Sequence, residues 1–276
     1  MADASDILTT LRAEADKHPD LADTITLYCR VLEIQEQAAI PHRAAVLSGD
    51  QARERLRQGT PLLDLDELDL DGGRLTELAM QIAFAIAELR RDRVRDLALV
   101  HAWLHNRRDK MRLLAIAYLK SGRIPEGNSS VDPALLAFVL HSALQPFLRA
   151  EAKALTRFVE TSTWYRGSCP ICGGEPDMAA LERSGGRRRL LCSRCDAEWT
   201  YRRLGCPFCG NDEPKELAFF PSDDKVYRLA VCERCHRYIK TIDLRETPTE
   251  RPLAAERALT AGMDVAAQTT GYRAQT

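Results

Sequence analysis

An α+β fold is what this sequence predicts, with an all-helical N-terminal domain followed by two tandem rubredoxin-like or zinc-ribbon metal knuckles. Three observations carry that reading. Eight of the nine cysteines fall in four Cys-x-x-Cys pairs between residues 169 and 235. The composition changes abruptly near residue 160, with a single cysteine and long Ala/Leu/Arg-rich stretches before it. The apolar residues of the first part recur at helical rather than alternating spacing. A chain of 276 residues with 45% hydrophobic and 29% charged content can bury a sizeable core. We expect a helical domain over 1–160, a first knuckle over 161–204, a second over 205–246, and a C-terminal helix and tail over 247–276.

Within the helical part, Leu21, Ile25, Tyr28, Leu32 and the Ile34/Gln35 pair keep close to a 3.6-residue period, and Pro41 should stop that helix. Cys29 lies inside this pattern and reads as a buried small hydrophobe. The alternating apolar and acidic run PLLDLDELDLDGG over 61–73 suggests a strand or an extended loop with a solvated edge. From Leu75 to Arg91 the chain is apolar almost all round, with Met80, Phe84 and Leu89 among its large residues, as a central helix should be. Asn106-Arg107-Arg108-Asp109 marks a helix boundary, and Gly122 has the position of a C-terminal cap. Asp132 and Pro133 then open a further helix, as N-cap and first helical residue, which Pro146 is expected to kink. Trp164 and Tyr165, in the connection between the two parts, are expected to seal their contact. The tail should hold a short helix over 252–267 and then fray through GYRAQT.

The cysteine pairs form an internal repeat. CPICGG at 169–174 and CPFCGN at 206–211 share the Cys-Pro-x-Cys-Gly pattern, and each is followed by a second Cys-x-x-Cys hook. Two intervening residues let both sulfurs of a hook turn toward one ion, and two hooks complete a tetrahedral site. Pro170 and Pro207 stiffen the turns, while Gly173 and Gly210 permit the positive φ that aims backbone N–H groups at the thiolates. The gaps from Cys172 to Cys192 and from Cys209 to Cys232 can each hold a short hairpin. Leu190-Leu191 and Ala230-Val231 then serve as strand ends before the second hooks, with Trp199-Thr200-Tyr201 and Tyr238-Ile239 following them. The expected metal ligands are therefore Cys169, Cys172, Cys192 and Cys195 for one ion and Cys206, Cys209, Cys232 and Cys235 for a second. Either ion can be iron or zinc. An interleaved pairing, with the first and third hooks sharing an ion, is the less economical alternative.

Disulfides or redox-active thiols are the competing explanations of clustered cysteines. The opening MADASDILTTLRAEADKHPD is acidic and amphipathic with no apolar signal region, and nothing approaches eighteen uninterrupted apolar residues. We therefore expect a cytoplasmic protein with no membrane insertion, in a compartment that keeps thiols reduced. From Arg166 to Arg245 there are 15 Lys and Arg against 12 Asp and Glu. Two four-thiolate sites would bring that excess to about −1 with divalent ions or +1 with ferric iron, leaving no basic stripe for nucleic acid. Arg187-Arg188-Arg189 and Arg202-Arg203 are locally basic, and neutralising the thiolate sites explains them. His101 and His105, four residues apart, lack a third ligand and an acidic base. His236 follows Cys235 but four cysteines already complete that site, and His42 has no identifiable partner. No phosphate-binding glycine loop, nucleophile elbow or paired-carboxylate arrangement is present, so no catalytic residues are assigned and an enzyme is not expected.

The runs RRLLCSRCDAEWTYRRLGCPFCG (188–210) and VYRLAVCERCHRYIKTIDLR (226–245), preceded by CPICGGEP (169–176), resemble the signature of the formate dehydrogenase accessory proteins, the FdhE family. The resemblance implies a cytoplasmic maturation factor with a helical N-terminal domain and two rubredoxin-like knuckles that hold iron through the eight cysteines. It further implies a partner, the catalytic subunit of a molybdenum- or tungsten-containing formate dehydrogenase, bound before export and assisted in its assembly. The closing segment ERPLAAERALTAGMDVAAQTTGYR departs from the family's acidic final helix before Gly-Tyr, so the C-terminus carries no role on this basis. A nucleic-acid-binding zinc-ribbon regulator and a thiol or iron redox protein are the alternative readings.

Overall fold

The computed structural model describes residues 2–41, 47–124, 130–159 and 164–274; His42 lies outside them. The N-terminal part is helical: α1 (Ala4–Ala15), α2 (Ala22–Gln37), α3 (Gly49–Gln58), α4 (Gly72–Leu89), α5 (Val94–Asn106), α6 (Met111–Ser121) and α7 (Pro133–Leu155). Local signals set their ends. Ser48 and Gln51 form a reciprocal capping box for α3, and Gly59 and Gly122 close α3 and α6 in the left-handed conformation. Asp132 accepts from the N–H groups of Ala134 and Leu135, and Pro133 takes the first position of α7, with Pro146 buried inside that helix. In α4, Leu75, Leu78, Ala79, Ile82, Ala83 and Ile86 are buried. Phe84 and Leu89 are not; they are 66% and 42% exposed, so one flank of this helix faces outward despite its apolar sequence.

The 61–70 segment is an extended loop without strand pairing. It buries Leu62, Leu68 and Leu70, and the N–H groups of Leu62 and Leu63 donate to the carbonyls of Pro170 and Ile171 (2.9 and 2.8 Å). This loop straps the first cysteine hook to the helical layer. Of the two connecting aromatics, Trp164 is buried and donates its indole N–H to Ser168, whereas Tyr165 is 70% exposed and seals nothing.

The cysteine-rich part forms β1 (Pro176–Leu181), β2 (Arg188–Cys192), β3 (Glu198–Tyr201), β4 (Leu217–Pro221), β5 (Tyr227–Cys232) and β6 (Arg237–Asp243). All six share one sheet in the order β3-β2-β1-β6-β5-β4, with every pair antiparallel except the parallel pair β1 and β6. The sequence repeat thus becomes a translation across the sheet: β4, β5 and β6 repeat β1, β2 and β3 three positions along, with the same strand directions. At the junction β1 is buried along its whole length. Ala179, Leu190 and Ile239 join the main core with α4 and α7, while Met178, Ala180, Leu191 and Ile242 pack on the opposite face with α1 and α2. Both faces of the sheet's centre are therefore buried against helices, each in its own hydrophobic cluster, because a central strand must bury both its faces.

The tail holds two helices rather than one, α8 (Leu253–Leu259) and α9 (Ala261–Thr269). It does not fray at Gly-Tyr-Arg: Arg273 N–H donates to the carbonyl of His236 (2.8 Å), and Tyr238 N–H donates to Arg273 (3.3 Å).

Candidate metal centres

Each cysteine hook is a tight turn built by its own sequence. Gly173 N–H donates to the Cys169 carbonyl and Gly210 N–H to the Cys206 carbonyl, both at 3.0 Å, with φ of 73° and 74° at the two glycines. The second hooks also repeat each other: the residues just after them, Asp196 and His236, both adopt positive φ (53° and 52°). These turns gather the eight cysteines into two groups, Cys169/Cys172/Cys192/Cys195 and Cys206/Cys209/Cys232/Cys235, with the sulfurs of each group within 4.8 Å of one another. The hooks pair within each repeat and are not interleaved.

The sulfur spacing suits a metal. Cys169 and Cys195 stand 3.7 Å apart and Cys172 and Cys192 3.4 Å; in the second group Cys206 and Cys235 are at 3.6 Å and Cys209 and Cys232 at 3.7 Å. A tetrahedral ion with metal–sulfur bonds of about 2.3 Å requires edges of about 3.8 Å, and a disulfide would require about 2.05 Å. Backbone donors already face the sulfurs: Ile171 N–H to Cys169, Gly174 N–H to Cys172 and Arg194 N–H to Cys192, each at 3.4 Å. Asn211 Nδ2 does the same for Cys232 (3.5 Å). Such donors stabilise thiolate rather than thiol. Hydrogen bonds from Cys169 and its neighbours hold Cys172 well below the usual thiol range, whereas burial pushes Cys169 and Cys195 up. At Cys232 burial opposes ionisation, but the backbone of Cys235 and the Asn211 amide outweigh it and bring the thiol down to about 7. Four sulfurs in contact cannot all ionise without a cation between them. Each group could hold one ion, iron or zinc.

The two centres differ in access. All four cysteines of the first are buried, but in the second Cys209 is exposed and Cys235 half-buried. Packed beside the first is a polar network that the sequence did not reveal. Arg257 of α8 pairs with Asp177 and Asp196, Asp196 also pairs with Arg149 (2.6 Å), and Arg149 Nη1 reaches Gln35 Oε1 (2.9 Å). His141 Nε2 and Gln145 Nε2 contact the Ser193 carbonyl. Asp196 directly follows Cys195 and was the one signal available; its partners come from α7 and α8.

The remaining sequence candidates scatter. Cys29 is buried among apolar residues. His101 and His105 lie exposed on α5. His236 stands outside the second sulfur group, with its ring beside Tyr272. The arginine run splits by strand alternation: Arg188 is buried and donates to Gly205 O (2.8 Å), while Arg189 pairs with Glu198 (2.9 Å). Burial lowers the Arg188 guanidinium to about 10. Among the described residues, no helix is long and apolar enough to cross a membrane.

No protein-family model matches the chain. An FdhE homolog from Stutzerimonas stutzeri (strain A1501) is 30% identical over 271 residues, which cover 95% of this chain and 83% of the relative. An FdhE homolog from Aquifex aeolicus (strain VF5) is 26% identical over 263 residues, covering 93% and 88%. The crystal structure of the FdhE protein from Pseudomonas aeruginosa aligns with a TM-score of 0.66 and 26% identity, covering 98% of this chain and 92% of that one. Kinship that runs through the helical layer and both cysteine repeats alike, and not through the metal motifs alone, means that this chain belongs to the FdhE family.

Proposed function

We propose that this protein is a cytoplasmic accessory factor that binds the catalytic subunit of a molybdenum- or tungsten-containing formate dehydrogenase and promotes its assembly or activation, without turnover of its own. The observation that carries this reading is the near-full-length kinship with FdhE homologs, joined to the resemblance in the cysteine motifs. We assign the eight cysteines as ligands of two ions. The ions supply tetrahedral crosslinks, and the chain's own residues hold the thiolates in place through the turn N–H groups and shield the first centre from water. The polar network and the shared core fix the helical layer on the sheet, so the scaffold presents one rigid surface to a client. The test is co-purification of the tagged chain with the catalytic subunit, together with formate dehydrogenase activity in cells lacking the chain. Full activity in those cells and no captured subunit would end this reading.

A second reading concerns the open centre. With Cys209 exposed and Cys235 half-buried, iron in that site would be within reach of electron donors or oxygen. A visible thiolate-to-iron band that bleaches reversibly on reduction would support it, and a colourless zinc protein with full activity in cells would exclude it.

A further inference from the structure

The sheet is covered on both faces except toward its β4 edge. The main core packs on one face of β1, β2 and β3, and α1, α2 and α8 cover the other face around β1. Leu229, Val231 and Tyr238 of β5 and β6 pack with Ala267 of α9. The opposite face of β4, β5 and β6 joins the main core through Ile239 and Ala230 but opens toward β4 into a groove of about 380 Å³ beside the second metal centre. The Thr241 hydroxyl lies in its floor, 3% exposed and without a hydrogen-bond partner. Phe219 and Leu204 flank it at 59% and 70% exposure.

The groove opens onto the free edge of the sheet, since β4 is a terminal strand. Glu233 N–H donates to Glu216 O and Ser222 N–H to Tyr227 O. By antiparallel alternation Ala218 and Phe220 then bond toward β5, which turns the N–H and C=O of Phe219 outward. Edge strands are usually blunted by charge or covered; here two phenylalanines stand exposed on one. The charge of the walls is one-sided. Arg228 and Arg237 are paired with Asp243 and Glu175, and Asp212 is bound to Arg202, but among the described residues Arg188 and Arg203 have no carboxylate partner.

We propose that an extended segment of a partner protein, carrying both apolar and acidic side chains, adds to β4 as a further strand and fills this groove. Its backbone pairs with Phe219, its apolar side chains cover Phe219 and Leu204, and its carboxylates meet the exposed guanidinium group of Arg203. This rests on the accessory-factor reading, with the client subunit as the source of the segment.

The test uses the full metal-loaded chain and a fluorescein-labelled peptide of repeating Leu-Leu-Asp-Asp, which places both residue types on each face of a strand. Anisotropy should show binding that weakens at least tenfold in Phe219→Asp and in Arg203→Glu, and at least tenfold when lysine replaces aspartate in the peptide. Leu204→Asp, at the second exposed apolar residue of the groove lining, serves if either variant loses its two ions or its thermal transition. The same variants are run in capture of the catalytic subunit. Capture and peptide binding undiminished in all three would overturn the groove while leaving the accessory role standing. Peptide binding lost in the variants without any capture by the wild type would uphold the groove and overturn that role. A dimer in sedimentation that Phe219→Asp dissociates would replace the partner by a second copy, and preference for single-stranded RNA over the peptide would equally overturn the proposal.

Discussion

Arg257 Nη2 donates to the backbone carbonyl of Cys192 at 3.2 Å, which ties a helix of the tail to the innermost hook of the buried centre. The same guanidinium is paired with Asp177 and Asp196, and Asp196 is itself 6% exposed. Arg257→Leu would leave those carboxylates with one arginine between them. Removing one partner of a buried pair costs about 3–5 kcal/mol, so the variant should show a much lower denaturant midpoint. Arg257→Lys, which keeps the charge but not the forked geometry, should fall between it and the wild type. Equal midpoints for all three proteins would mean that the network contributes nothing.

The unequal burial of the two centres predicts sequential metal loss. A colorimetric chelator should take one equivalent of metal quickly from the native protein and the second only as it unfolds, because Cys209 is exposed while Cys169, Cys172, Cys192 and Cys195 are not. Cys232→Ser should therefore retain helical circular dichroism and one ion. Cys192→Ser should fail to fold, since structural sites of this kind carry about 10 kcal/mol or more of folding free energy and this one lies inside the main core. Simultaneous release of both equivalents from native protein would contradict this order.

Gly167 predicts how the two halves of the sheet are held together. A Cβ built on it would meet the backbone carbonyl oxygen of Pro207 at 1.7 Å, so the chain before the first hook packs directly on the turn of the second. Tyr201 strengthens the same seam by donating its hydroxyl to the Cys206 carbonyl (3.1 Å). Gly167→Ala should cost about 1–3 kcal/mol as an overpacked contact and speed alkylation of Cys209 by loosening the second turn. An alanine variant with wild-type stability and alkylation rate would show that the seam yields freely.

The parts of this molecule legible from sequence are those whose physics is local. The first hook of each repeat needs only its own proline and glycine, so the eight ligands and the favoured grouping within each repeat could be read from the motifs, as could the Asp132-Pro133 start of α7, while the interleaved alternative is closed only by the sulfur positions. What depends on distant partners was hidden. Nothing in Ala179-Ala180 announces a parallel pairing with Thr241-Ile242 that fuses two knuckles into one sheet. The difference in access between the centres was hidden too, because their motifs are nearly the same and only the covering elements differ. Phe84 misled for a related reason: an apolar residue in an apolar helix is not thereby buried.

Asp243 predicts how stability responds to acid. Its carboxylate is 1% exposed, accepts from Arg245 Nε (2.7 Å), and is also paired with Arg228. The hydrogen bond from Arg245 holds its pKa below the ordinary value, overcoming the opposing effect of burial. A carboxyl whose folded-state pKa is depressed contributes fully above its unfolded value, about 3.9, and loses that contribution as pH falls through the lower folded value. Asp243→Asn should therefore be less stable than the wild type at pH 7, by about 2 kcal/mol for lost charged hydrogen bonds. The gap should close as pH falls below about 4. Denaturant midpoints at a series of pH values for both proteins measure this, and a gap that stays constant down to acid unfolding would show that Asp243 acts through shape rather than charge.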